Sequence, residues 1–194
     1  MQDRDLQSLQ KAFDKLEDSL NDNKRKLAEL RRQLFKREVT DYTLTAQDGS
    51  QIALSQLFGN ADELLLIHNM GKSCAYCTLW ADGFNGIIHH LENRAPFVVV
   101  SPDDYQTQRD FYNSRGWKFR MFSAHGTTFF KDLDFEYETG KPMPGVSTFT
   151  KSADGKIYRI ASAYFGPGDD FCSLWHLFDL LPRGVNDWSP KFKY

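Results

Sequence analysis

Cysteine is scarce in this chain of 194 residues, with three in total. Small secreted domains that rely on disulfides carry more, so a disulfide scaffold is excluded. The other proportions are those of a globular protein, with 41% hydrophobic and 26% charged residues, which excludes disorder and collagen-like repeats. Aromatic residues make up 14%. We therefore expect one domain with a packed core, plus an appendage.

Long apolar runs and an excess of charge of one sign are both missing. The longest mainly apolar run, residues 64–67, is far too short to span a membrane, and no apolar segment of a secretory signal follows Met1. Basic and acidic residues number 24 and 26, for a net charge of -2. This balance gives no electrostatic reason to expect nucleic acid or an anionic membrane as partner. We expect a cytoplasmic protein.

The first segment, residues 3–37, contains neither glycine nor proline. Its apolar residues alternate at spacings of three and four, which is the pattern of a coiled coil, and Asn23 takes the one polar position. We call these residues the apolar stripe: Leu6, Leu9, Phe13, Leu16, Leu20, Leu27, Leu30 and Leu34. A helix of this length measures about 50 Å, longer than a small domain can cover.

Three arrangements of this segment remain open. A coiled-coil arm would pair two chains into a homo-oligomer, with Asn23 helping to fix the register. Alternatively, two antiparallel helices could turn at residues 21–23, or one helix could lie on its own domain. The change in texture after Arg37 divides the chain into an N-terminal helix, 1–37, and a domain, 38–194.

The rest of the chain alternates between strand and helix patterns. The predicted order is hairpin, strand, helix, strand, helix, strand, hairpin and helix, with residues 116–145 irregular. The predicted segments are 42–45 with 51–54, 63–68, 74–91, 96–101, 103–114, 118–122, 146–151 with 156–162, and 169–181. This order indicates an α/β fold in which helices flank a mixed sheet.

Two of the cysteines form a Cys-x-x-Cys pair, Cys74 and Cys77, between a predicted buried strand and a helix. Two intervening residues bring the sulfurs within disulfide distance across the first helical turn. The helix N-terminus favours a thiolate at Cys74 and lowers its pKa. Cys74 is therefore the predicted attacking sulfur, and Cys77 is placed to resolve a mixed disulfide.

The run Ser73-Cys74-Ala75-Tyr76-Cys77-Thr78-Leu79-Trp80-Ala81-Asp82-Gly83-Phe84-Asn85-Gly86, with further matches between residues 41 and 184, resembles the thioredoxin-like family catalogued as domain of unknown function 899. Its members are commonly labelled predicted dithiol–disulfide oxidoreductases. The resemblance implies a thioredoxin-like fold related to the peroxiredoxin branch. It also implies a redox role for the cysteine pair.

Two positions depart from what the resemblance implies. Thioredoxins place a cis-proline opposite the cysteine pair, whereas Ser147 stands at that position here. A cis bond before a residue other than proline costs about 3 kcal/mol, so we expect a trans bond and a differently shaped substrate groove. The threonine with which peroxiredoxins bind peroxide has no counterpart, because residues 70–73 offer only Ser73. We therefore do not expect peroxidase activity.

Other residues are candidates for a supporting role. Asp82 could take a proton from the resolving cysteine or lie on the helix surface, and His68 could orient a cysteine or be a core histidine. Trp80 falls at helical spacing with Phe84 and is more typical of a core position. Cys172 and His176 could join the pair in a four-ligand zinc site. However, the last helix of a thioredoxin-like fold packs away from the cysteine pair, so we expect no metal.

The sequence thus predicts a thiol–disulfide oxidoreductase without a cofactor. Its substrate would be a thiol or disulfide, possibly of a protein. The alternatives are a redox-silent thioredoxin-like scaffold that acts through its coiled-coil arm and a zinc-stabilised binding module.

Overall fold

The N-terminal segment forms one long helix. The computed structural model describes residues 3–34 and 36–194, and α1 spans Asp3–Leu34. The helix continues through residues 21–23, so the alternative of two antiparallel helices is wrong. The helix ends three residues before Arg37, the predicted limit of this segment. Phe35 falls inside the predicted range but lies outside the described residues.

The domain is built on one mixed sheet of eight strands, in the order β1-β8-β7-β4-β5-β6-β2-β3. Its centre, β4-β5-β6, is parallel, and the pairs on both sides are antiparallel. The strands are β1 (Arg37–Val39), β2 (Thr43–Thr45), β3 (Gln51–Ala53), β4 (Glu63–His68), β5 (Phe97–Ser101), β6 (Arg120–Ser123), β7 (Gly145–Lys151) and β8 (Ile157–Tyr164).

Helices cover both faces of this sheet. They are α2 (Ala75–Arg94), α3 (Tyr105–Arg115), α4 (Phe129–Asp132) and α5 (Ser173–Asp179), with a 3-10 helix over Leu54–Phe58. Alternate residues of each central strand point to opposite faces. Leu64 and Leu66 pack with the 3-10 helix and α4, whereas Ile67 packs with α2 and α5.

Residues at the ends of α2 and α3 account for their limits. Cys74 caps the start of α2, and α2 ends at the extended Ala95, the conformation favoured before Pro96. Asp104 caps α3 by accepting two backbone hydrogen bonds, and Gly116 ends it with a φ of 65°.

The predicted α/β class and every predicted strand and helix are confirmed, with limits that differ by a few residues. The pattern missed β1, the 3-10 helix and α4, all of which are short. No helix in the described part of the chain is long and apolar enough to cross a membrane.

The helix α1 lies along the edge of the sheet near β8. Lys24 contacts Asp170 at 2.7 Å, and a cavity of about 590 Å³, lined mainly by apolar side chains, lies between α1, α2 and strands β4, β7 and β8. The apolar stripe itself remains 45–71% exposed.

Candidate active site

The cysteine pair lies at the carboxyl end of β4, where the chain turns through residues 69–73 into α2. Cys74 is the N-cap residue of α2, and its sulfur accepts a hydrogen bond from the Cys77 backbone N–H at 3.0 Å. A sulfur in the place of a capping oxygen faces the unpaired N–H groups and positive end of the helix dipole. This geometry stabilises a thiolate.

Cys74 and Cys77 have opposite electrostatic environments. A hydrogen bond from the Cys77 thiol, together with backbone hydrogen bonds, outweighs burial and lowers the pKa of Cys74 to about 7. The same bond to Cys74 and burial raise the pKa of Cys77, although the Met70 backbone N–H donates to its sulfur at 3.5 Å. Cys77 is 2% exposed and Cys74 is half-buried, and both are free thiols.

The turn before Cys74 is held by side chains that the sequence pattern did not identify. Asn69 is buried; its side-chain oxygen accepts from the Gly71 N–H at 2.8 Å, and its amide donates to the Cys77 carbonyl at 3.4 Å. The Asp103 carboxylate accepts from the Lys72 N–H at 2.7 Å. These bonds fix the turn from its two sides.

Gly71 allows Asp103 to approach this closely. It has a φ of 95°, and a Cβ at this position would lie 2.6 Å from an Asp103 carboxylate oxygen. Burial raises the pKa of Asp103. Asp103 follows β5 as the turn at residues 69–73 follows β4, and the carboxyl ends of parallel strands meet at one edge. The position of Asp103 directly after β5 was therefore the sequence signal that could have placed it beside the cysteine pair.

The last helix packs beside the cysteine pair, contrary to the expectation that it lies away from it. The ring of Trp175 in α5 stacks on Tyr76, between the cysteines, with centroids 6.2 Å apart. Trp175 is buried, so its indole supports the first turn of α2 from the side.

His68 and Ser147 lie together on the other face of the sheet. His68 Nε2 and Ser147 Oγ are 2.8 Å apart, and the imidazole stacks on Phe135 with a centroid distance of 3.7 Å. Burial, followed by the charge of Arg159, lowers the pKa of His68. Since Cys77 packs on the α2 face, the ring does not point toward the thiols. No described peptide bond is cis, as predicted for the bond before Ser147.

The remaining supporting candidates lie on α2 or just before it. Trp80 is buried against Phe165, a core position. The Asp82 carboxylate pairs with Arg115 and accepts from the Trp117 indole N–H at 2.8 Å, contacts that orient α2 against α3. Ser73 is exposed directly before Cys74.

The four candidate zinc ligands do not form a metal site in the described residues, where no group of three or more His, Cys, Asp or Glu side chains could hold a metal ion. Cys172 is buried at the start of α5, which raises its pKa. His176 contacts Asp170 instead, with 3.4 Å between His176 Nε2 and Asp170 Oδ1.

A family model with the description "Bacterial protein of unknown function (DUF899)" matches residues 3–193. The chain belongs to this family. The match is longer than the predicted range 41–184 and extends over the residues of α1. A search of the curated proteins finds no match.

Solved structures of peroxiredoxins are similar to this member of the family. Peroxidoxin BcpB from Mycobacterium tuberculosis has 25% sequence identity and a TM-score of 0.54, over 67% of this chain and 84% of that one. Reduced Prx3 from Vibrio vulnificus, in complex with H2O2, has 14% identity and a TM-score of 0.57, over 70% and 89%.

A third similar structure is the bacterioferritin comigratory protein of Xanthomonas campestris, whose description concerns alkyl peroxide reduction. It has 21% identity and a TM-score of 0.51, over 64% of this chain and 80% of that one. These similarities confirm the thioredoxin-like fold and its relation to the peroxiredoxin branch.

Proposed function

We propose that this protein is a thiol–disulfide oxidoreductase that cycles Cys74 and Cys77 between dithiol and disulfide. The observation that carries the proposal is the opposite treatment of the two sulfurs. Cys74 accepts hydrogen bonds at the start of α2 and has a pKa of about 7, whereas Cys77 is buried with a raised pKa. An attacking thiolate and a resolving thiol need this asymmetry.

The reduction of a substrate disulfide would take two steps. The Cys74 thiolate attacks one substrate sulfur, which forms a mixed disulfide and releases the other sulfur as a thiolate. Cys77 then loses its proton to that thiolate or to water and attacks the Cys74 sulfur. This step forms the Cys74–Cys77 disulfide and releases the second substrate thiol. The substrate gains two electrons, and an external thiol reductant regenerates the pair.

Cys74 is half-buried, so part of its side chain remains accessible to a substrate. Tyr76, which is half-buried, lies beside it on the first turn of α2, and an extended substrate segment could lie against this aromatic side chain. The substrate would therefore be a disulfide exposed on a protein or a small disulfide molecule.

Peroxide is a second candidate substrate, because the similar solved structures are peroxiredoxins, one of them with H2O2 bound. The Cys74 thiolate would attack the O–O bond to give a sulfenic acid and water or an alcohol. Cys77 would then displace water to form the same disulfide. One observation weighs against peroxide as the substrate. The threonine with which peroxiredoxins bind peroxide has no counterpart here, because Ser73 is the one hydroxyl side chain at residues 69–73.

Trapping of a mixed disulfide tests the proposal. With glutathione disulfide as the probe, Cys77→Ser should accumulate one glutathione adduct at Cys74, because the resolving thiol is gone. Cys74→Ser should form none, and Cys172→Ser, the matched control at a buried thiol, should turn over like the unaltered chain. An adduct on Cys74→Ser but not on Cys77→Ser would reverse the roles.

The same variants distinguish the two substrates. With H2O2 or an alkyl hydroperoxide in place of glutathione disulfide, peroxidase activity predicts a sulfenic acid at Cys74 in Cys77→Ser at low peroxide concentration. Modification by glutathione disulfide alone supports the disulfide substrate. If neither probe modifies Cys74 faster than an unperturbed thiol, the chain is a redox-silent scaffold.

A further inference from the structure

The apolar stripe of α1 has no partner among the described residues. Its eight side chains are 45–71% exposed, and they run along one side of a helix of 32 residues. The domain contacts α1 beside the stripe rather than on it: Lys24 pairs with Asp170, and Ala28 and Arg31 are partly covered. Monomeric proteins rarely expose a continuous apolar surface of this extent.

The charges of α1 are divided between its two halves. Residues 3–22 carry six acidic and three basic side chains, for a net charge of -3. Residues 23–34 carry five basic and one acidic side chain, for a net charge of +4. Two copies of α1 side by side in the same direction would place like charges together. In opposite directions, each acidic half would lie along a basic half.

The heptad positions that flank the stripe favour the same orientation. In a parallel pair, Lys26 of one helix would face Arg31 of the other, and no flanking pair would be attractive. In an antiparallel pair, Glu17 of each helix can face Lys24 of the other. Lys24 pairs with Asp170 of its own domain, but its side chain is still 42% exposed.

One antiparallel register satisfies both the apolar and the charged positions. It sets Leu9 opposite Leu34, Phe13 opposite Leu30, Leu16 opposite Leu27, and Leu20 opposite Asn23. A shift by one heptad would set Glu17 opposite itself. The charge of the flanking positions therefore selects the register, while Asn23 places one polar side chain, facing Leu20, in each of the two central layers.

We propose that α1 pairs with α1 of a second copy of this chain in an antiparallel coiled coil. The two domains then lie toward opposite ends of a rod about 50 Å long, and the two cysteine pairs belong to separate domains. The partner that covers the stripe is a second copy of this chain, because the stripe and its flanking charges are complementary to those of an identical, antiparallel helix.

Sedimentation of the full chain at tens of micromolar is the first test. The unaltered chain should be a dimer and Leu16→Glu a monomer, because the substitution places a carboxylate in the coiled-coil core. Since Leu16 is 71% exposed, the domain should fold normally, as circular dichroism would show. A monomeric unaltered chain, or a Leu16→Glu chain that remains a dimer, would overturn the proposal.

A charge reversal tests the orientation without changing a cysteine. Glu17→Lys should weaken the dimer about three- to tenfold, because two symmetric ion pairs become repulsive contacts. Asp18→Lys, the matched control on the outer side of the coil, should weaken it less than twofold. In a parallel coil, Glu17 would face Ala12, so equal effects of the two variants would overturn the antiparallel orientation.

Spin labels measure the orientation directly. In full chains with Cys74, Cys77 and Cys172 changed to serine, labels at Gln10→Cys should lie about 35 Å apart along the rod, and labels at Asn21→Cys about 10 Å apart. A parallel coil predicts a short distance at both positions. A short distance at residue 10 would contradict the proposal.

Discussion

Cys74 and Cys77 lie one helical turn apart, and the hydrogen bond between their side chains moves their pKa values in opposite directions. We predict that the alkylation rate of Cys74 by iodoacetamide rises with a midpoint near pH 7, the pKa of its thiol. Cys77 should react far more slowly at neutral pH. Mass spectrometry of the separated peptides measures both rates, with buried Cys172 as a slow internal control. Faster alkylation of Cys77 would refute the assignment.

His68 links the stability of the fold to pH. Its lowered pKa in the folded protein means that, below about pH 6.5, the unfolded chain binds a proton that the folded chain does not. The contribution of His68 to the free energy of unfolding should therefore be level above that pH and fall below it, with a slope of up to about 1.4 kcal/mol per pH unit.

Urea unfolding between pH 7.5 and 5 measures this slope in the range where carboxylates still contribute little. His68→Gln should flatten the profile, whereas the exposed control His89→Gln should leave it as in the unaltered chain. An unaltered profile in His68→Gln would mean that another group carries the dependence.

Substitution by alanine should have opposite effects on stability at a glycine in α2, Gly83, and at the glycine in the turn before it, Gly71. Gly83 is exposed with open space around its Cβ position, so Gly83→Ala should stabilise the fold by about 0.5–1 kcal/mol. Gly71→Ala should cost about 1–3 kcal/mol, because of the positive φ and the contact with Asp103. Chemical denaturation of the two variants measures both changes. Equal effects would show that the turn yields without cost.

The elements that could be predicted from the sequence are those with local causes. The strand before His68, the turn and the helix after Cys74 follow each other directly, so hydrophobic runs and the cysteine spacing sufficed. Asp103 and Trp175 lie far from the cysteine pair in sequence, and only the tertiary fold brings them to the site. No local sequence pattern specifies that packing. His68 was ambiguous because a strand end offers two faces, and the alternation from Leu64 and Leu66 decides between them.

At the level of the whole molecule, we propose that residues 38–194 form the folding unit and that α1 is an attached arm. A chain that begins at Arg37 keeps β1 paired with β8 and should unfold cooperatively. Its Cys74 should keep the same alkylation midpoint, because within the described chain no residue of α1 forms a hydrogen bond with residues 69–77. It should lose some stability, since the apolar cavity beside β8 opens to water.

Circular dichroism, thermal unfolding and the alkylation assay test this division. A shortened chain without a cooperative transition would show that α1 belongs to the folding unit. The length of α1 was predictable because its pattern has no interruption, but the sequence could not decide between pairing of chains and packing on the domain. The exposed stripe in the structure removes the second alternative for most of the helix.

The most direct measurement of the redox role is equilibrium titration of the cysteine pair in buffers of known thiol–disulfide potential, read by mass spectrometry of alkylated peptides. A single two-electron transition should convert Cys74 and Cys77 together and leave Cys172 reduced. Cys74→Ser and Cys77→Ser should each abolish it. If Cys74 and Cys77 remain thiols across the whole range, or if either pairs with Cys172 instead, the proposed redox cycle is contradicted.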